Sequence, residues 1–298
     1  MQKRDKRNSL IELYRFFFAL VVVKSHTLFP YDGPYIGPGG IAVEFFFIVS
    51  GYLFMRSLEK WKDLPLKESW PKMLVAKIKP IAIPLAIGLL SNLVYQGTVG
   101  DKSIWGYLWY VRAMLVAFTV YLVLSHFIKN SKAFFVITLI ICIVCTVVRF
   151  GFGMYALSYT RAGSALSLGI LLAYLPPLKL KNQNRVWWIV APLQLICIAM
   201  VVWQWALWSI GGVHIAEACI VFLLYPALVY FTFQLPVHNR VFNYLGALSF
   251  GLYAFQCPAD LLRGFGMQNL WLLFGFIVLA SVLEDLGKRL YKRKSQAK

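Results

Sequence analysis

The sequence predicts an all-α, polytopic integral membrane protein of about ten transmembrane helices, and three observations carry that prediction. Sixty per cent of the 298 residues are hydrophobic and only 14% are charged, against roughly 45–50% and about 25% in soluble domains. Mean hydropathy is +0.67, and the apolar residues fall into runs near the roughly 20 residues that a spanning helix needs. Aromatic residues reach 16%, which suits a chain anchored at two lipid interfaces. One membrane domain over residues 1–298 is expected, because no hydrophilic stretch is long enough for a second folded domain.

The first span, Leu10–Phe29, follows the basic start MQKRDKRNSL. A secretory signal would look similar, but this apolar segment contains Arg15 and Lys24. It ends at His26–Pro30 without a small-residue cleavage site, so it reads as a retained helix. The second span, Gly39–Leu58, follows the Gly- and Pro-punctuated loop YDGPYIGPGG at Tyr31–Gly40. The basic, amphipathic Glu59–Trp70 segment is expected along the inner membrane surface, ahead of the third span, Met73–Tyr95. Ile104–Phe127 and Ala133–Phe150 follow, then Tyr155–Leu175 and Val186–Ile210. Val213–Phe233 and Val241–Ala259 flank the Gln234–Arg240 loop, and Asn269–Leu286 precedes a basic tail.

The net charge is +18. On a soluble protein this would suggest nucleic acid. Here the basic residues lie in short loops between apolar spans, so topology accounts for them and no nucleic-acid partner is expected. With the N-terminus inside, the inner segments hold about 23 of the 30 Lys and Arg residues. The outer loops hold Lys102, Arg149, Arg161 and Arg263. Both termini are therefore expected in the cytoplasm, which requires an even number of spans. Five cysteines (Cys142, Cys145, Cys197, Cys219 and Cys257) lie in apolar spans and read as small helix-packing residues. Too few histidines accompany them for a zinc site, and no metal is expected.

Ionisable groups inside spans are costly and mark function by default. Arg15 and His26 are 11 residues apart, which on a straight helix is three turns plus about 20°, or roughly 16 Å along one face. Arg15 falls in the inner half and His26 near the outer end. Glu44, Arg112, Arg161, Glu217, Tyr253 and Gln256 share the outer depth with His26, and one polar layer is expected of them. Five of the ionisable residues have a plainer reading: Arg15 paired with Glu12 one turn away, Lys24 reaching outward to the interface, Arg161 and Glu217 as interfacial residues, and His26 as a structural histidine.

These residues resemble the membrane-bound acyltransferase-3 family, the O-acetyltransferases of bacterial glycans. Arg15 and His26 match its Arg-x10-His signature. EFFFIVSGYLF (Glu44–Phe54) looks like its acidic-x-Phe-Phe-x-x-Ser-Gly-aromatic-Leu motif. LWYVRAML (Leu108–Leu115), RAGSALSLGILLAY from Arg161, and LGALSFGLYAFQCP (Leu245–Pro258) resemble further segments in family order. Two departures stand out. Gln256 replaces the family's late histidine. The Arg-x-x-Arg motif before the third span is absent, leaving Lys72, Lys77 and Lys79 with the family proline at Pro80. No fused extracytoplasmic domain is expected.

The resemblance implies a multi-pass enzyme of the bacterial cytoplasmic membrane. It would move an acyl group, acetyl above all, from cytoplasmic acyl-CoA to a hydroxyl of a cell-envelope glycan. His26 would be the base or acyl carrier, since imidazole takes a proton near neutral pH. Glu44 would orient it, and Arg112 or Arg161 would stabilise developing negative charge. Arg15, Lys72, Lys77 and Lys79 would hold the donor, while Trp109, Tyr110, Glu217, Tyr253 and Gln256 would line the substrate path. Two other classes remain open. Intramembrane charges also mark transporters, and the same fold could serve as a non-catalytic sensor.

Overall fold

The computed structural model describes residues 8–28, 38–58, 60–100, 103–154, 157–178, 184–207 and 217–296. All regular structure among them is helical. In chain order the helices are α1 (Ser9–Val23, prolonged by a π turn at Lys24–Leu28), α2 (Pro38–Leu58), α3 (Leu66–Ile78), α4 (Ala82–Thr98) and α5 (Trp109–Phe127). Next come α6 (Ser131–Thr146, prolonged by a π turn at Val147–Gly151), α7 (Ser158–Leu172) and α8 (Asn184–Leu207). The series ends with α9 (Tyr225–Phe233, preceded by a π turn at Ile220–Leu224), α10 (Arg240–Ala254), α11 (Gln256–Gly264) and α12 (Leu270–Gln296).

Asparagine starts four of these helices. The side chains of Asn8, Asn130, Asn239 and Asn269 each accept hydrogen bonds from two backbone N–H groups of the first turn, at 2.8–3.4 Å. Such caps satisfy donors that no helix can satisfy itself, and each contributes about 1 kcal/mol.

Five described stretches are long and apolar enough to cross a membrane: Gly39–Leu58, Leu66–Thr98, Gly106–Phe127, Ser131–Gly151 and Leu270–Tyr291. The chain is an all-α polytopic membrane protein. Among the other expected spans, Val186–Ala199 and Glu217–Phe233 are shorter apolar stretches of the described residues, and α1 carries Glu12, Arg15 and Lys24. The N-terminal basic run, loop residues 31–37, Lys102 and residues 179–183 lie outside the described residues, as do the expected span ends at Phe29, Tyr155, Ile210 and Val213.

Three boundaries differ from expectation. Among the described residues, the segment ahead of the third span is non-helical only over 60–65. From Leu66 it is already helix, joined to α4 through a 3₁₀ turn at Lys79–Ile81. The ninth span breaks at Phe255, because Pro258 has no N–H to offer the Ala254 carbonyl. The tenth continues as helix to Gln296, where Glu284–Lys288 and Asp285–Arg289 pairs run along its polar end.

The helices form two compact units, each assembled from separated stretches of chain. The first takes its described residues from 1–32, 76–109 and 238–298. Here α1 lies on α10, α10 on α12, and α4 on α11. Gly246 sets the first contact, since a Cβ there would stand 2.9 Å from the Glu12 Cα and overlap its carboxylate. Gly88 lets α4 approach the Ala254 carbonyl freed by the break. The second unit takes its described residues from 33–75 and 110–237. In it α2 and α7 cross backbone to backbone. A Cβ on Gly51 would overlap the Leu166 carbonyl, and one on Gly169 would overlap the Ile48 carbonyl. Small residues at the crossing are how membrane helices gain contact without a hydrophobic drive. The Ser-Gly of the EFFFIVSGYLF segment is half of that crossing.

A histidine pocket and a buried ion cluster

In the first unit His26 sits in the π turn that ends α1. The turn closes more residues per revolution than an α-helix, so the face shared with Arg15 on a straight helix holds only as far as Val23. The imidazole lies on the Tyr107 ring, with centroids 4.4 Å apart and planes tilted by 35°.

Tyr107 is fixed from three sides. Gly106 adopts φ +34°, where a side chain would be strained, and a Cβ there would meet Asn92 Nδ2 at 2.8 Å. Asn92 Nδ2 donates to the Ile104 carbonyl at 3.0 Å, anchoring the approach to the turn. The Tyr253 hydroxyl donates to the Tyr107 carbonyl. Tyr107 in turn directs its own hydroxyl to Asp260 Oδ1 at 3.4 Å.

Helix α11 closes the site. His26, Tyr107, Gln256, Ala259, Asp260, Arg263 and Leu273 line a small pocket of about 10 Å³, room for about one water molecule. Gln256 is only 1% exposed. Its Nε2 donates to the Tyr253 carbonyl at 3.1 Å, which fixes the amide orientation because that carbonyl can only accept. Its Oε1 is buried and has no hydrogen-bond partner among the described residues.

Further along α1, Arg15 Nη1 lies 3.0 Å from Glu12 Oε2 and 3.2 Å from Oε1, with 31% of its side chain exposed. The pairing of Arg15 with Glu12 is thus present. Lys77 is half-buried near the end of α3. Lys79 is exposed on the following turn. Trp109 is half-buried where α5 begins.

The second unit gathers a different set of charges. Glu44 Oε1 accepts from Arg161 Nε at 2.7 Å and lies 3.0 Å from Arg149 Nη2. Arg149 Nη2 also donates to Glu217, and Arg161 Nη2 donates to the Gly40 carbonyl at 2.5 Å. Glu44 and Arg149 are wholly buried, Glu217 and Arg161 nearly so. Two cations balance two anions, as burial requires. Arg161 and Glu217 are therefore not interfacial residues. Glu44 and Arg161, expected in separate roles, are each other's partners.

Elsewhere in this unit, Arg112 lies over the Tyr159 ring at 5.5 Å, within cation–π range. Tyr110 packs on Phe47 at 4.6 Å between ring centroids, and its hydroxyl lies 3.2 Å from Ser50 Oγ. Lys72 is exposed and paired with Glu68 at 3.0 Å.

The residues expected in one polar layer thus belong to two groups. His26, Tyr253 and Gln256 meet in the first unit; Glu44, Arg161 and Glu217 meet in the second. Four contributors were not singled out from sequence: Tyr107, Asp260, Arg263 and Arg149. Arg263 and Arg149 were assigned to outer loops, but Arg263 lines the pocket and Arg149 is fully buried. A signal for Arg149 did exist, since Glu44 and Glu217 are two intramembrane carboxylates and Arg161 alone cannot neutralise both.

The first unit thus holds a small pocket beside His26, partly walled by hydrogen-bonding groups, in a polytopic membrane protein. A family model described as an acyltransferase domain matches residues 8–283, and the chain belongs to the acyltransferase 3 family. Membership implies a membrane acyltransferase. No curated protein and no solved structure matches the chain significantly.

Proposed function

We propose that this protein is an O-acyltransferase of the bacterial cytoplasmic membrane, with both termini cytoplasmic. It takes an acyl group, acetyl in the first instance, from cytoplasmic acyl-CoA and places it on a hydroxyl of a cell-envelope glycan. The observation that carries this reading is the seat of His26: an imidazole at a small pocket that Tyr107, Gln256, Asp260 and Arg263 also line, in a family of acyltransferases.

The chemistry follows from the imidazole. In its neutral form it accepts the acceptor's hydroxyl proton while the oxygen attacks the thioester carbonyl. The C–S bond breaks, the ester C–O bond forms, and the imidazolium returns its proton to the departing CoA thiolate. Tyr107 holds the ring by stacking, and Asp260 accepts from the Tyr107 hydroxyl, which keeps that ring in place. Arg263, on the pocket wall, supplies N–H donors for the oxyanion that develops as the carbonyl is attacked. Arg15, Lys77 and Lys79 belong to the same unit and would hold the anionic part of the donor. Lysine meets phosphate as a point charge rather than as a fork. Lys72 is already paired with Glu68 and is a weaker candidate.

The test is product formation from labelled acetyl-CoA by cells or proteoliposomes, with mass spectrometry of envelope glycans with and without the gene. Acetylated glycan that depends on the gene supports the reading. Unchanged glycans, together with no consumption of donor, would overturn it and return weight to a transporter or a sensor.

A further inference from the structure

The small pocket beside His26 is matched to one guest, a single water molecule. Its volume admits one oxygen with its hydrogens and nothing larger. A buried water is held by roughly two to four polar partners. His26, Tyr107, Asp260 and Arg263 border this space, and together they offer both donors and acceptors. The walls are braced. The Tyr107 hydroxyl donates to Asp260 Oδ1 at 3.4 Å, which joins two of them. Tyr107 is itself set by the φ of +34° at Gly106 and by the Tyr253 hydroxyl on its carbonyl.

The position of that space matters because of the acyl transfer proposed above, on which this inference rests. His26 is the base there, so the attacking oxygen must come within roughly 2.6–3.2 Å of the imidazole. Before an acceptor arrives, the oxygen that fits beside His26 is that of water. Water and an acceptor hydroxyl offer the imidazole the same group, an O–H. Water is also far more concentrated than any acceptor.

We infer that the protein is an acyl-CoA hydrolase whenever no acceptor hydroxyl is in place, with the pocket water as the nucleophile. His26 takes one proton of the water as the water oxygen bonds to the thioester carbonyl carbon. The C–S bond breaks, and the imidazolium returns its proton to the CoA thiolate. The products are free CoA and the carboxylic acid, acetic acid when the donor is acetyl-CoA. An acceptor hydroxyl reaches the imidazole by displacing this water, so hydrolysis and transfer exclude one another.

The experiment uses the full chain in proteoliposomes with labelled acetyl-CoA in heavy-oxygen water, first without glycan. Acetate should appear in step with free CoA thiol and carry one heavy oxygen. His26→Ala should slow its formation by about 10²–10⁴-fold, the contribution of a positioned base. Adding the cell-envelope glycan fraction should divert label from acetate to glycan. Ala259→Val adds two methyl groups to the pocket wall and should lower acetate formation; a folded variant that hydrolyses at the wild-type rate overturns the assignment of the water to this pocket.

Glycan acetylation with no acetate formed in glycan-free vesicles overturns the hydrolase and leaves acyl transfer standing. Acetate formation that His26→Ala leaves unchanged also overturns it. His26-dependent acetate with no glycan acetylated supports the hydrolase and overturns the transfer reading. No donor consumption in either assay overturns both.

Discussion

The two polar regions of this protein hold their charged groups differently. In the cluster of Glu44, Arg149, Arg161 and Glu217 the charges pair with one another, sum to zero and are closed off, although Glu44 Oε2, Arg149 Nε and Arg149 Nη1 are buried without a hydrogen-bond partner among the described residues. Around His26 the imidazole and Asp260 are half-buried, and a small pocket adjoins them. A charge-balanced buried cluster fixes one arrangement of helices, and its loss leaves an uncompensated charge. A half-buried titratable group beside an opening can meet a ligand. The difference teaches that intramembrane charge alone does not locate chemistry in this chain; an opening beside the charge is needed too.

The most severe way to break that contrast is Arg149→Met. Removing the cation that serves two carboxylates should cost about 3–5 kcal/mol of stability, read as loss of membrane-inserted protein and a lower Tm in detergent. Adding Glu217→Gln restores neutrality and should recover part of that loss. A variant with unchanged Tm and impaired transfer would erase the distinction.

His26→Ala comes next. It should lower acyl transfer by about 10²–10⁴-fold, the scale of a positioned acid–base group, with abundance and Tm unchanged. Product formation near the wild-type rate would remove His26 from the chemistry.

Gly246→Ala sharpens the comparison from within the first unit. The added methyl would overlap Glu12 and push α1, which carries His26, away from α10. Overpacking of this kind costs about 1–3 kcal/mol, so both Tm and transfer should fall together.

Arg15→Ala should have the smallest effect on stability, within about 1 kcal/mol, because the partly exposed Glu12 pair is screened by solvent. Its signature is a raised KM for acetyl-CoA at little changed acceptor KM. An unchanged dependence on donor concentration would leave Arg15 as the partner of Glu12 and nothing more.

Much of the fold was legible because burial in lipid constrains sequence so strongly. Apolar runs announced the helices, and lysine and arginine marked the loops between them. What misled was treating Arg149 and Arg263 as loop charges: each stands at the end of an apolar run, where sequence distance from a span says nothing about the direction in which a side chain points. Tyr107 was hidden for a related reason. Its role depends on the positive φ of Gly106 and on hydrogen bonds from Asn92 and Tyr253, which are remote in the chain.

The opposed readings of Arg15 and His26 divide along the same line. The amino-acid sequence by itself determined that two costly side chains lie on the first helix, that most of the other intramembrane charges lie elsewhere, and that a family pattern runs through them. Hydropathy and spacing are local properties, and local properties set helices and depth. Only the tertiary structure decided which charges neutralise one another and which polar groups border a pocket. That is a matter of azimuth and close approach between helices, settled here by Gly51 against Leu166 in one unit and by Gly246 against Glu12 in the other.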